Sequence, residues 1–376
     1  LVDLEGARVS ILFRQRPDEP VAEARDWRVF AGGALSGWAQ MDDGVAQGVD
    51  SALKNAASWA CIQVMADAIA RTPFNGVRTD QAGKIMDPQP ILLSRPSGIV
   101  QLDVWKSQLG FALNTDGNAF GQIISFTAGG YPQQVEWLDP SKLPERDVVN
   151  GVPRVKVNAQ WRDLYPRGDI FHIPGRLVMP GSPFGLSPIT YAAKTIGTTL
   201  KAEEFSFDYF ASGAHPTMDV IVNQQIDDIQ AEAMSARISR AAQKRKPIVH
   251  GNMYELKPWG VDQNETEFLS VQEFAVLQAC RFWQVPPSMV YAAISGQHVT
   301  YANVTQADLH WLKHSLDGLL SRLEFAFTAA LPRPQAAVAD RDAILKASPI
   351  EMQQLWQLKL ANNLGSVNEG RDALGL

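Results

Sequence analysis

Apolar residues recur at helical spacing in SALKNAASWACIQVMADAIA, which predicts a helix from Ser51 that ends before Pro73. A short strand, FNGVRT, follows it. A second helix is predicted over Leu102 to Leu113, then an Asp116-Gly117 turn and a strand, with QVEWLDP, PRVKVN and DIFHI as further strand candidates. Residues 1–50 show little periodicity and are predicted to form an irregular arm. The first region therefore indicates an α+β fold.

Two long helices are predicted to enclose a small β-α-β unit. The first has Pro188 in its opening turn and a glycine stop at Gly213. Then come a strand, TMDVIV, a helix, IDDIQAEAMSARISRAAQKR, and a strand pair, PIVHGNMYELKP. The second long helix begins at Asn264, an N-cap candidate with Glu267 three residues on, and ends at Pro286-Pro287.

The longest periodic segment is predicted to be a helix from Thr305 to Leu331, which Pro332 ends. Its 27 residues would extend about 40 Å at roughly 1.5 Å per residue. One apolar stripe with steps of three and four comprises Leu309, Leu312, Leu316, Leu319, Leu323 and Ala326.

Composition narrows the class of protein. The 376 residues are 45% hydrophobic, enough for a sizeable core, and the formal net charge of −6 argues against a tight grip on DNA phosphates. No apolar run reaches the roughly 18 residues that span a bilayer. Cys61 and Cys280 lie in apolar helical patterns, which predicts free thiols in a reducing cytoplasm. Because residue 1 is Leu, we expect further residues to precede it.

Candidate catalytic and metal-binding motifs are incomplete. FGLSPI around Ser187 begins like a nucleophile elbow, but Ile189 stands at the second glycine position, which favours a helix start. His310 and His314 have zinc-ligand spacing, but HWLKH lacks the glutamate of HExxH and no third ligand is evident. We therefore predict that the side chains of His310 and His314 face solvent or a neighbour and do not bind zinc.

Other polar groups also favour structural roles. No GxxxxGK[ST] loop occurs. The adjacent carboxylates of Glu203-Glu204 and Asp227-Asp228 point in different directions, and the second pair suits a helix N-terminus. Asp116-Gly117-Asn118 has the composition of a turn. We predict no catalytic, metal or cofactor site, hence no enzyme.

One locally basic cluster lies at the end of the helix in the β-α-β unit. Positive charges interact favourably with a helix C-terminus, so a solvent-exposed helix end is one interpretation of this cluster. A surface that binds a partner protein or DNA is an equally good one. The cluster comprises Arg237, Arg240, Lys244, Arg245 and Lys246.

Read in order, the segments resemble portal proteins of tailed phages of the HK97 type. LKPWGVDQNETEFLSVQEFAVLQACRFWQVPPSMV and TYANVTQADLHWLKHSLDGLLSRLEFAFTAAL resemble the most characteristic region. ALKNAASWACIQVMADAIARTPF, LLSRPSGIVQLDVWKSQLGFALNTDGNAFGQI, the GLSP helix and VNEGRDALGL agree in order and spacing. The resemblance covers roughly residues 51–376. Each motif is short, so the evidence for the resemblance is that the motifs occur in the same order along the chain.

The resemblance implies an α+β portal fold with a crown and a tunnel loop. The implied segments are 1–186, wing with N-terminal arm; 187–212, first stem helix; 213–259, clip; 260–285, second stem helix; 286–302, tunnel loop; 303–331, long wing helix; and 332–376, wing strand and crown.

The implied role is that of a dodecameric ring at one capsid vertex of a virion assembled in the host cytoplasm. The ring would package and eject the genome without a cofactor or a membrane. Implied partners are the terminase, a head-tail adaptor, the major capsid protein and double-stranded DNA contacted without sequence specificity. Tunnel-loop candidates facing DNA are Ser295, Gln297, His298 and Thr300, although a solvent-exposed turn is an equal alternative for Gln297 and His298.

Two positions depart from the family pattern. Gly370 stands where a larger apolar residue is usual, and Ser97 stands at the usual asparagine of its motif. The alternatives that stay open are a head-tail connector of the adaptor class and an enzyme with a diffuse active site.

Overall fold

The computed structural model describes residues 49–376 except 82–83, 144, 212–217, 223–226, 244–253, 259–264, 291–300, 342, 344–355, 363–364 and 375–376. Residues 1–48, most of the predicted arm, lie outside the described residues. The helices are α1 Val49–Leu53, α2 Ala56–Arg71, α3 Ile91–Ser94, α4 Leu102–Thr115, α5 Pro188–Ala211, α6 Asp228–Gln243, α7 Glu265–Trp283, α8 Tyr301–Trp311, α9 Asp317–Ala329 and α10 Val367–Leu374. The strands are β1 Phe74–Arg78, β2 Lys84–Ile85, β3 Asn118–Phe126, β4 Pro132–Trp137, β5 Arg146–Val149, β6 Val152–Val157, β7 Gln160–Asp163, β8 Ile170–Pro174, β9 Met218–Val222, β10 Tyr254–Pro258 and β11 Gln335–Ala339.

The first predicted helix is interrupted at Asn55. Its side-chain Oδ1 accepts hydrogen bonds from the Ser58 backbone N–H and from the Ser58 hydroxyl, both at 2.9 Å. Asparagine is a preferred N-cap because its side chain satisfies a backbone donor that the first helical turn leaves free. One helix from Ser51 was therefore the wrong prediction, and α1 and α2 are separate.

The core of the first region lies between two helices and a sheet. At Gly110 in α4, an added Cβ would lie 2.8 Å from Cα of Ala66 in α2, so these helices touch through their backbones. Trp105 of α4 is 2% exposed, and its indole N–H donates to the Val135 carbonyl of β4 at 2.6 Å. Helix α4 thus links α2 to the β4-β3-β8 sheet.

The strands form small antiparallel sheets. The predicted strands at β1, β3, β4, β6 and β8 are confirmed. Strands β5 and β7, which were not predicted, flank β6 in a three-stranded meander. Asn150 and Gly151 both have positive φ between β5 and β6, as in the two-residue hairpin turns that an Asn-Gly pair favours, so this hairpin carried a local signal that the prediction missed.

Two long helices enclose a β-α-β unit, as predicted. Helices α5 and α7 pack together, and the segment between them contains α6 and an antiparallel β9–β10 pair, with Tyr254 opposite Val222. The first half of the predicted strand pair lies in 244–253, outside the described residues.

The predicted third long helix contains a π-helical segment, Leu312–Leu316, between α8 and α9. Leu312, Leu316, Leu319 and Leu323 are buried as predicted. However, Leu309 is 52% exposed, whereas Trp311 is 6% exposed. A π turn contains extra residues, so the buried side rotates relative to the sequence on passing through it. The predicted stripe is therefore wrong at its N-terminal end, and the helix starts earlier, at Tyr301.

A strand after Pro332 returns to the first region, as expected. β11 pairs antiparallel with β1, with Gly76 opposite Ala337. On its other side, the Ala337 N–H donates to Thr328 Oγ1 at 3.0 Å and the Ala339 N–H donates to Glu324 Oε1 at 2.7 Å. Side chains of α9 thus cover this strand. Among the described residues, no helix is long and apolar enough to cross a lipid bilayer.

Candidate functional site

The candidate catalytic and metal-binding residues have structural contacts. The Ser187 hydroxyl donates to the Thr115 carbonyl at 2.8 Å and accepts from the Thr190 N–H at 3.2 Å, which identifies it as the predicted helix-start residue. The exposed imidazoles of His310 and His314 have ring centroids 4.4 Å apart. Within the described part of the chain, no group of three or more His, Cys, Asp or Glu side chains could hold a metal ion.

The base of α5 rests directly on the turn between α4 and β3. Gly117 in this turn has φ of 74°, and an added Cβ would lie 2.0 Å from the Leu186 carbonyl oxygen. At Gly185, an added Cβ would lie 2.1 Å from the Gly117 carbonyl oxygen. Only glycine allows this approach of two backbones. We call the region formed by residues 114–118, 172–176 and 184–187 the helix junction.

The Asn118 side chain binds both the N–H and the carbonyl of Gly185. Its Oδ1 accepts from the Gly185 N–H at 2.7 Å, and its Nδ2 donates to the Gly185 carbonyl at 2.8 Å. The same Oδ1 lies 3.1 Å from Nε2 of His172. Because an amide oxygen can only accept, Nε2 of a neutral His172 carries the proton.

The electrostatic environment of His172 keeps its ring neutral. The ring stacks on Phe120 with centroids 4.7 Å apart. Loss of hydration and, secondarily, the positive charge of Arg146 lower the pKa of His172 to about 3. Arg146 in turn pairs with Asp116 at 2.6 Å, and its guanidinium lies 5.0 Å from the Phe120 ring centroid. An apolar stack and an ion pair thus fix the side chains around Asn118.

The end of α7 is held at the same junction. The Trp283 indole N–H donates to the Asn114 carbonyl at 2.9 Å. Arg176 donates to the Trp283 carbonyl and to Gln284 Oε1, both at 3.1 Å, and burial lowers its pKa to about 10. Arg322 of α9 donates to the Gly175 carbonyl. The start of α5 and the end of α7 therefore share one anchor, so the two helices run antiparallel away from it.

Among the described side chains, the core between α5 and α7 lies at the end near the junction. The buried apolar residues that these helices contribute are Ile189, Ala192, Ile196, Ala279, Cys280 and Trp283. Farther out, Phe207 is 74% exposed and Phe274 is 55% exposed. Among the side chains that the structure describes there, these two rings contribute little buried apolar surface to the helix pair.

The two cysteines are free and buried, as predicted. A hydrogen bond to the Cys280 thiol and burial both raise the pKa of the Cys61 thiol above its usual range. The pair lies where α2 packs against α7 and contributes to the same core.

Comparison with known proteins decides the family. The family model described as "Phage portal protein" matches residues 56–375. The chain belongs to the phage portal protein family. It is 27% identical over 379 residues to a protein of Streptomyces phage phiC31 named "Probable portal protein", covering 93% of this chain and 81% of that protein.

A solved portal protein and a chain from a particle neck share the fold. An HK97-family phage portal protein from Corynebacterium diphtheriae superposes with a TM-score of 0.61 at 13% identity, covering 82% of this chain and all of that one. A chain in the neck of a native gene transfer agent particle, computed with C12 symmetry, gives a TM-score of 0.56 at 19% identity, covering 92% and 99% of the two chains. The mixed helix and sheet fold expected from the resemblance is thereby confirmed.

The departures from the portal pattern have local explanations. The Ser97 hydroxyl donates to the Glu136 carboxylate at 2.8 Å and accepts from the N–H groups of Ile99 and Val100, both at 3.0 Å. Serine thus makes a complete set of bonds at this position. At Gly370, an added Cβ would lie 3.3 Å from the Trp356 ring, so a larger residue would require this ring to move.

Of the sequence-predicted contact residues, Arg237 and Arg240 lie among the described residues. Arg237 and Arg240 are exposed on α6 of the portal chain, consistent with either interpretation of the basic cluster. Lys244, Arg245 and Lys246, together with Ser295, Gln297, His298 and Thr300, lie outside the described residues. Sequence analysis did not identify Asn118, His172, Arg176 or Arg322 as junction residues, because each contacts a group that is distant in sequence.

Replacing His172 with glutamine is expected to make stability less dependent on pH. In the unfolded chain the imidazole of His172 takes up a proton near pH 6.5, whereas in the folded protein its pKa is about 3. Acid therefore favours the unfolded state between these values, by up to about 1.4 kcal/mol per pH unit. Urea unfolding over this range should show a shallower loss of stability for His172→Gln than for the wild type. His310→Gln, at an exposed position, is the control and should retain the wild-type slope; equal slopes for all three proteins would contradict the role of His172.

Proposed function

We propose that this chain is the subunit of a portal ring at one vertex of a phage or phage-like capsid, and that double-stranded DNA passes through the ring during packaging and ejection. The family match over residues 56–375 carries the proposal. The C12 symmetry of the gene transfer agent neck, in which a chain of similar fold lies, supports twelve copies. The match to portal proteins favours this function over the adaptor alternative.

The segment roles follow the family order. We assign 1–186 to the wing, α5 and α7 to the stem, and the β-α-β unit between them to the clip. Residues 286–302 would form the tunnel loop, 303–331 the long wing helix, and 332–376 the wing strand and crown. The shared anchor of α5 and α7 supports a stem because it fixes one end of both helices and extends the clip away from the wing.

The charge of the chain suits a conduit. Twelve copies at −6 each would carry a formal charge of −72, which disfavours tight binding of a moving polyanion. DNA would meet weak polar contacts without sequence specificity, with Gln297 and His298 as tunnel-loop candidates. No catalytic step is assigned to this chain, and energy for DNA movement would come from a terminase.

Imaging the purified full chain by negative-stain electron microscopy tests the ring. We expect particles with a central channel and twelvefold rotational averages. A chain that remains monomeric at concentrations at which other ring proteins assemble would overturn the proposal, and rings without an open channel would overturn the conduit role.

Reversing the charge of Arg237 and Arg240 to glutamate is expected to leave the ring assembled and to weaken terminase binding by roughly tenfold, as loss of complementary charge does at an interface. Both side chains are exposed, so the fold should be unaffected. Binding is measured with purified terminase on immobilised rings. Arg95→Glu with Arg167→Glu, also exposed but on the wing, is the matched control. Equal terminase affinity in all three proteins would remove the partner role of the cluster.

A further inference from the structure

A cavity of about 340 Å³ lies between α3, α4, α9 and β1. Its wall is mostly apolar and is built from buried side chains of all four elements, namely Phe74, Leu92, Leu93, Trp105 and Phe327. Small-molecule sites in proteins have this character, and their volumes begin at about 300 Å³. Such sites also contain a few polar groups that fix the orientation of the ligand.

Lys106 of α4 adds a cation to this wall. Its side chain is only 8% exposed, and its ammonium donates to the Thr72 carbonyl at 2.8 Å. An ammonium has three N–H donors, and this bond uses one of them. In the described part of the chain, the ammonium has no second acceptor and no ion pair.

The charge of Lys106 is poorly compensated by the protein. Burial lowers the pKa of its ammonium, and the negative charge of Asp103 raises the pKa by a smaller amount. The folded chain therefore disfavours the charged form relative to water. Buried charges in proteins are normally paired with an opposite charge, and an anion in the cavity would supply that pair.

A purely structural role explains only part of this arrangement. Thr72 is the C-cap residue of α2, and a cation interacts favourably with the carbonyls at a helix C-terminus. That role accounts for the bond to Thr72. It does not account for the remaining donors of the ammonium or for the apolar space that Lys106 lines. A molecule that satisfies both would have one carboxylate and a small apolar body.

We propose that this cavity binds a small amphipathic carboxylate, with its carboxylate on the Lys106 ammonium and its apolar part against Trp105 and Phe327. The bound molecule would contact α4, α9 and β1 together and so would tie α9 to the first region. Binding would require a folded chain but no ring, and it adds a ligand site to the conduit role proposed above.

A ligand-observed NMR titration of the full chain tests the site with defined probes. Phenylacetate is an aromatic carboxylate probe, hexanoate is an aliphatic one, and phenylacetamide has the shape of phenylacetate without its charge. For fragments of this size we expect a Kd on the order of 1 mM. Phenylacetamide should bind at least about tenfold more weakly than phenylacetate, because it loses the charge-assisted hydrogen bond to Lys106.

Three variants locate the binding. Lys106→Met keeps the length of the side chain and should weaken phenylacetate binding by about tenfold or more. Ser94→Trp, at the exposed rim of the cavity, should occupy the space and abolish binding of both carboxylates. Because Ser94 is exposed, Ser94→Trp should fold even if loss of the Thr72 bond destabilises Lys106→Met. Lys54→Met, an exposed lysine outside the cavity, is the charge control and should retain the wild-type affinity.

Each outcome decides between a ligand site and a helix cap. Equal affinities for phenylacetate and phenylacetamide would mean that the charge is not recognised, which overturns the proposal. Binding that Ser94→Trp leaves unchanged would place the probe elsewhere and would also overturn it. If neither carboxylate binds, Lys106 serves only as a cap of α2. None of these results affects the portal ring, which imaging of the particles tests separately.

Discussion

Replacing Leu316 and Leu319 together with aspartate is expected to prevent folding. Leu316 is fully buried and Leu319 is 2% exposed, within the largest core cluster. Removing each leucine costs about 2–5 kcal/mol, and burying each carboxylate costs several more. The summed loss is comparable to or larger than the free energy of unfolding of an ordinary protein, roughly 5–15 kcal/mol. Circular dichroism and size-exclusion chromatography should show loss of the soluble folded protein.

Leu309→Asp on the same helix is the matched control. In an uninterrupted α-helix, Leu309 would continue the buried stripe, but the π-helical segment leaves it 52% exposed. This variant should therefore fold with a thermal midpoint close to that of the wild type. Severe destabilisation by Leu309→Asp, or a normally folded Leu316/Leu319 double variant, would contradict the packing of this helix.

Replacing Gly117 with alanine is expected to destabilise the protein by about 3 kcal/mol or more, because it combines backbone strain with a steric clash. Its φ is 74°, and the new Cβ would lie 2.0 Å from the Leu186 carbonyl oxygen, a backbone atom that cannot turn away. Relief of the clash requires the base of α5 to move. Urea unfolding would measure the loss.

Gly130→Ala separates the two causes. Gly130 has a similar φ of 77°, but nothing lies within 4 Å of an added Cβ. Its substitution should cost only about 1 kcal/mol, the strain component. If the two variants lose equal stability, the close approach at the helix junction contributes nothing.

Helix bounds could be predicted where both ends carry local signals. Helix α4 ends at the predicted Asp116-Gly117 turn, and α7 ends before Pro286-Pro287. By contrast, the π-helical segment Leu312–Leu316 has no residue type that signals it, so the buried positions of α8 could not be predicted. Strand β7 escaped prediction because it is short and largely exposed, whereas β5 is followed by the Asn150-Gly151 turn, a local hairpin signal that the prediction did not use.

The helix junction was predictable only in part. Ser187 was correctly interpreted as a helix-start residue because N-capping is local. Asp116-Gly117-Asn118 was correctly interpreted as a turn, but the Asn118 side chain bonds to Gly185, 67 residues away. Contacts of that kind depend on how elements pack and leave no periodic trace in one sequence.

The covered strand β11 has a consequence for assembly at high local concentration. A strand at the edge of a sheet normally offers its N–H groups to any other strand, which promotes aggregation when many copies crowd together. Here the Ala337 and Ala339 N–H groups are already bound by Thr328 and Glu324. Copies brought side by side therefore meet an edge whose outward N–H donors at Ala337 and Ala339 are already occupied, which disfavours uncontrolled β-pairing there and leaves association to side-chain surfaces with a defined stoichiometry.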